Sequence, residues 1–266
     1  MGWENPGAAL VTGASAGIGE SFTRNLASQG FDLILVARRR ERLEELAYIL
    51  RQEYNIGVEV CVADLSKPDD VERIEKKIAE TAALDVLVNN AGFGVPGKFI
   101  EVPLEKELEM KRLHIDTPIR LTRAAVTGMV QRHRGVVILL SSLSSFFTMP
   151  GSVMYNSTKA CLRAFSAALA MELFESGVKV QALCPGFTHT EFLSSLDKRY
   201  RGFDKSVIPK ALFMKADDVV RQSLSAVRKN KAVFIPGFKN RCLLWFLNTW
   251  IGKRIGMKKL KKSGRI

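Results

Sequence analysis

The sequence predicts one α/β domain, a doubly wound fold whose central, mainly parallel seven-stranded sheet is flanked by helices. Three observations carry this. Short apolar runs alternate with longer segments of 3.6-residue periodicity along most of the 266 residues. The short runs are rich in Val, Ile and Leu, as strands covered on both faces require. A glycine-rich turn joins the first run to the first helical segment. The composition agrees, with 47% hydrophobic and 25% charged residues and no flexible linker or internal repeat to divide the chain.

In chain order, strands are expected at 8–12, 32–37, 58–62, 86–89, 136–140, 178–183 and 232–235. Helices are expected at 18–29, 40–53, 68–81, 104–112, 118–132, 156–175 and 216–229, with Gly30, Gly57, Gly135 and Gly177 placed to end four of them. Residues 187–215 break the alternation. They carry Phe187, Phe192, Leu193, Phe203, Ile208, Leu212, Phe213 and Met214 without a strand run, and read as a lid inserted between strand and helix. Residues 242–252 are apolar, with Trp245, Phe246 and Trp250, and a basic tail follows. The expected division is therefore a domain over 1–238, lid included, and an extension over 239–266.

Composition also excludes function classes. Cys61, Cys161, Cys184 and Cys242 are scattered, with no Cys/His spacing suited to a metal, so no metal site is expected and a reducing compartment fits. No charged and apolar leader precedes the first strand, which points to the cytoplasm. Of the +13 net charge, seven cations fall from residue 253 onward with no acid among them, leaving +6 on the rest. Without a nucleic-acid-binding motif, that charge does not imply a nucleic-acid partner.

The turn after the first strand reads Thr12-Gly13-Ala14-Ser15-Ala16-Gly17-Ile18-Gly19. Gly13 suits a tight turn, Gly17 a close approach of backbone to a pyrophosphate, and Gly19 close packing, with the helix N-terminus receiving phosphate charge. The same residues spell G-x-S-x-G, the nucleophile elbow of serine hydrolases, but too few residues precede Ser15 to supply the strands that elbow needs. A Walker A loop fails for want of its closing Gly-Lys-Ser/Thr. In a dinucleotide fold the end of the second strand faces the adenosine ribose. Here an acid that would select NAD is missing and Arg38-Arg39-Arg40 follows, so Arg38 is the candidate for a 2′-phosphate and NADP is the expected cofactor.

The order TGxxxGxG, Asp64, Asn89-Asn90-Ala91-Gly92, Ser142, Tyr155-Asn156-Ser157-Thr158-Lys159 and Pro185-Gly186 resembles the short-chain dehydrogenase/reductase family, a Rossmann-like fold, over roughly residues 8–236. The resemblance implies that Asp64 contacts the adenine and that Asn90, Ala91 and Gly92 line the cofactor. A purely structural role at the strand exit is open beside the latter. It also implies that Pro185, Gly186, Thr188 and Thr190 contact the nicotinamide end.

Tyr155 and Lys159 are four apart and share a helix face. An ammonium beside a phenol favours the phenolate, and thereby proton transfer. Ser142, just past the fifth strand, would hold the substrate carbonyl, Tyr155 would donate a proton, and Lys159 would lower the tyrosine pKa and bind the nicotinamide ribose. His114 stands where the family usually has an asparagine. It either takes over that hydrogen-bonding role or is an ordinary helix residue.

The expected activity is NADP(H)-dependent interconversion of a carbonyl and a secondary alcohol. The apolar lid suggests a hydrophobic substrate: 3-oxoacyl, steroid-like or another lipid ketone. The alternative is a dinucleotide-binding sensor or scaffold of the same fold with weak or no turnover. A homodimer or homotetramer is the expected assembly. The tail either lies peripherally on an anionic membrane or docks on the body or a second subunit, the apolar run 242–252 being too short to span a bilayer.

Overall fold

The computed structural model describes residues 4–194, 209–249 and Arg254. Trp250, Phe203, Ile208 and all cations of the tail except Arg254 lie outside the described residues. Seven strands form one sheet in the order β3-β2-β1-β4-β5-β6-β9. They are β1 (Ala8–Thr12), β2 (Asp32–Ala37), β3 (Val58–Val62), β4 (Leu84–Asn89), β5 (Gly135–Leu140), β6 (Val178–Leu183) and β9 (Val233–Phe234). Every pairing is parallel.

Helices cover both faces: α1 (Gly17–Ala27), α2 (Arg40–Tyr54), α3 (Pro68–Glu80), α4 (Leu104–Lys111), α5 (Thr117–Gln131), α6 (Val153–Glu172) and α7 (Ala216–Arg228). The apolar runs are continuous because successive side chains feed opposite layers. Ala9 and Val11 of β1 join the core with Phe22, Leu26 and Val220, whereas Leu10 joins the one with Ile74, Leu121 and Leu162.

Three local departures from the sequence reading matter for the site. First, α6 starts at Val153, so Tyr155 lies in its first turn and not before it. Second, α4 and α5 are joined without a break by a π-helical turn, Arg112–Asp116. Pro118 lacks a backbone N–H to bond the preceding turn, and a wider turn before it accommodates that loss. Third, Asn55 and His133, at φ 53° and 51°, take the left-handed positions that end α2 and α5, in place of Gly57 and Gly135.

The described ends of the segment 187–215 also contain regular structure. A two-residue strand β7 (Thr188–His189) pairs in parallel with β8 (Met214–Lys215), so both ends of the insertion are pinned together. Strands this short offer no periodicity to read. After β9, helix α8 (Phe238–Asn248) begins inside the body: Asn240 is 2% exposed and donates to the Pro236 carbonyl at 3.0 Å. Among the described residues no helix is long and apolar enough to cross a membrane.

Candidate active site

Strands β1 and β4 are neighbours although the chain visits β2 and β3 between them, so a crevice opens at their carboxyl ends. Thr12 and Asn90 brace it. The Thr12 hydroxyl accepts from the backbone N–H of Asn90 and Ala91 at 2.9 and 3.0 Å. The Asn90 side-chain amide donates to the carbonyls of Thr12 at 2.9 Å and Gly13 at 3.3 Å. The Asn90 side-chain amide thus holds the glycine turn, the structural role at the strand exit that stood beside the cofactor-lining one.

The turn itself is a cradle that side chains would fill. Gly13 and Gly17 have φ of 66° and 60°. A Cβ on Gly19 would lie 2.2 Å from the Gly13 carbonyl oxygen, and one on Gly17 would lie 2.9 Å from Cγ2 of Thr190. Ile18 packs against the core, and Ala16 before the 11-residue α1 supplies no side-chain cap for the N–H groups at its start, with Glu20 the acid of its first turn. An anionic pyrophosphate fits this site.

At the end of β2, Arg38 is exposed and held by no hydrogen bond to a described residue. Its neighbour Arg39 donates from Nε and Nη2 to the Ser15 hydroxyl at 3.2 and 3.0 Å, a contact the sequence reading missed. Asp64 accepts from the N–H and hydroxyl of Ser66 at 3.1 and 2.7 Å. It borders an open cavity of about 520 Å³ shared with Lys67 and Arg112.

Ser142, Tyr155 and Lys159 converge beyond the carboxyl end of β5. Of the four neighbouring serines, Ser141 is buried with its hydroxyl bonded to the Lys159 carbonyl at 2.7 Å, while Ser142 accepts from the N–H and hydroxyl of Ser144 at 3.1 and 3.0 Å. Nζ of Lys159 donates to the Leu140 carbonyl at 2.7 Å and lies 5.8 Å from the Tyr155 ring centre. Burial pushes the Tyr155 phenol up to about 12, with the Ser142 hydroxyl pulling weakly the other way. The same burial brings Lys159 down to about 7. The phenol thus stands above its usual value, with burial the main cause and the Ser142 hydrogen bond the opposing one.

His114 sits in the π turn and is 1% exposed. Burial first, and then the Lys159 charge, hold its ring well below the usual pKa, so it is neutral. Nε2 accepts from the Phe93 N–H at 3.2 Å, which places the proton on Nδ1, facing the Thr158 hydroxyl at 3.0 Å. Thr158 in turn donates to the Tyr155 carbonyl at 2.9 Å. The ring lies 5.8 Å from that of Tyr155, and Gly92 leaves room for it, since a Cβ there would meet Nε2 at 2.7 Å. Ala91 and Gly92 thus form the floor between the glycine turn and His114.

After β6, the Pro185 carbonyl accepts from the Leu143 N–H at 2.8 Å, which joins this loop to the segment after Ser142. Gly186 is covered by Asn240, Thr188 donates to the Gly186 carbonyl at 3.2 Å, and Thr190 to that of Thr188 at 3.4 Å. Phe192, from the lid, lies 6.1 Å from the Tyr155 ring and forms an apolar wall beside it. His189 stacks on Phe213 at 4.8 Å.

A dinucleotide cradle beside a Ser, Tyr and Lys cluster defines an oxidoreductase acting on carbonyl or CH–OH groups. The chain belongs to the short chain dehydrogenase family, whose model matches residues 7–201. It is 31% identical over 258 residues to the very-long-chain 3-oxoacyl-CoA reductase of Pyrenophora tritici-repentis, covering 92% of this chain and 72% of the other. It is 33% identical to the Anas platyrhynchos reductase of the same name, covering 74% of this chain but only 64% of that protein's length. A short-chain dehydrogenase from Sphingobium yanoikuyae, solved in complex with NADPH, superposes with a TM-score of 0.81 at 32% identity, covering 96% of this chain and 95% of that one.

Proposed function

We propose that this protein is an NADP(H)-dependent reductase of hydrophobic ketones, with a 3-oxoacyl thioester or another lipid ketone as substrate. The observation that carries this is the convergence of Ser142, Tyr155 and Lys159 next to the glycine cradle with Phe192 beside the phenol. A nicotinamide held there would supply the hydride for the carbonyl carbon, or accept one in the reverse direction. Ser142 holds the carbonyl oxygen, and Tyr155 delivers a proton from its hydroxyl to that oxygen. Lys159 anchors the ribose and supports departure of the tyrosine proton. His114, fixed as a neutral donor to Thr158, holds the first turn of α6 and hence the height of Tyr155. Pro185, Gly186, Thr188 and Thr190 would hold the nicotinamide end, and Asp64 the adenine.

Activity against a panel of 3-oxoacyl thioesters, bulky ketones and small ketones, followed by loss of NADPH absorbance, tests the substrate class. Turnover confined to small polar ketones overturns it. Cofactor binding without turnover of any member supports the sensor reading that the His114 substitution favours. NADPH is expected to bind more tightly than NADH, and Arg38→Ala to remove about 1 kcal/mol of that preference, as loss of one exposed charged contact does. Titration of both nucleotides against both proteins measures it; equal affinities in the wild type reject Arg38 as a phosphate ligand.

The extension supports a peripheral membrane contact. Helix α8 exposes Phe238 by 72% and Trp245 by 73%, flanked by exposed Lys239 and Arg241, and seven cations follow from residue 253 onward. Each cation near an anionic surface adds up to about 1 kcal/mol, and the aromatic rings suit the interface. The full chain is expected to sediment with anionic vesicles at low salt, and a chain ending at Thr249, which keeps Asn240 in place, to bind more weakly. No sedimentation at low salt removes the membrane reading.

A further inference from the structure

Two oxygens of one carboxylate grip the arginines at the edge of the cradle. Glu191 lies two residues beyond β7. Its Oε2 accepts from Nη1 of Arg39 at 2.7 Å, and its Oε1 accepts from Nη1 of Arg42 in α2. Arg39 at the same time holds the Ser15 hydroxyl and, at 3.3 Å, the Ser15 carbonyl. The adjacent Thr190 closes over Gly17. Glu191 is thereby brought to the junction of the glycine turn and the end of β2, although 149 residues separate it from Arg42.

That junction is where a dinucleotide fold places the adenosine ribose, and a pair of guanidinium groups gripping two oxygens is what a ribose 2′-phosphate requires. Other acids nearby have basic partners of their own, Glu20 with Arg24 and Glu44 with Arg40. The two arginines hold Glu191 well ionised. The geometry points to Glu191 as a specificity-determining residue: its carboxylate competes with the 2′-phosphate for Arg39 and Arg42. A phosphate entering there displaces it, whereas a nucleotide with a free 2′-hydroxyl leaves it in place. This deepens the reading of the β2 end as the ribose site and rests on it.

Glu191→Gln keeps the side-chain volume and one acceptor but removes the charge. Calorimetric titration with 2′,5′-ADP, 5′-ADP, NADPH and NADH compares wild type with this variant. The expected result is tighter binding of the two 2′-phosphorylated ligands by about fivefold, the scale of an exposed ion pair, with the other two unchanged. If the variant leaves the ratio unaltered, or weakens all four ligands together, Glu191 is a strap holding the lid and the proposal is overturned. A wild type indifferent to the 2′-phosphate with a variant that has gained a preference upholds the competition while removing the NADP reading. Indifference in both proteins removes both.

Discussion

Tyr155→Phe is expected to slow carbonyl reduction by about a thousandfold, within the range that a positioned general acid contributes. Only the hydroxyl is lost. The ring keeps its neighbours His114 at 5.8 Å and Phe192 at 6.1 Å, so the pocket wall and the first turn of α6 stay as they are. Burial holds the phenol protonated until about 12, which makes it an acid across the whole neutral range. Cofactor affinity, measured by fluorescence titration, should therefore remain near the wild-type value while kcat collapses. A kcat within a few-fold of wild type would falsify the assignment of Tyr155 as proton donor.

Lys159→Ala should cost at least about a hundredfold in turnover and weaken cofactor binding as well, since one ammonium serves both tasks. The wild-type pH profile carries the sign. Lys159 titrates at about 7, lowered by burial from its usual value. Below that pH the ammonium is present and favours departure of the tyrosine proton. As pH rises through about 7 the charge is lost and kcat/KM for reduction falls. Lys159→Arg keeps its charge to far higher pH and should move the falling limb upward, even at a reduced rate. An identical limb in wild type and Lys159→Arg would show that another group titrates there.

The sheet was legible because each strand is a short Val/Ile/Leu run whose side chains alternate between two buried layers, as Leu10 and Val11 do. The glycine turn and the Ser142, Tyr155 and Lys159 set were legible because each is fixed by local spacing. What escaped depends on distant contacts. Arg39 reaches Ser15 and Glu191 only because β7 folds back over the turn, and the run of three arginines gave no means of choosing among its members for that contact. The π turn around His114 shows locally only as Pro118 following a helical run. The bond from the Asn90 amide to Thr12, 78 residues earlier, likewise leaves no trace in local spacing.

Asn240 has a bearing on the order in which the protein acquires competence during synthesis. Chains emerge N-terminus first, and the strands that form the crevice, β1, β4 and β5, are complete once residue 140 is made. The loop at Gly186 is different: the residue that covers it, fitting where a Cβ would come within 2.6 Å, is 54 positions further on. With residue 140 made, the glycine turn and the Thr12 and Asn90 bonds that brace it are all in the chain, while Thr190, the Gly186 loop and the residue that backs it are still to come. A chain cut short ahead of α8 would therefore retain much of its hydrophobic core while leaving the Gly186 loop without the side chain that braces it.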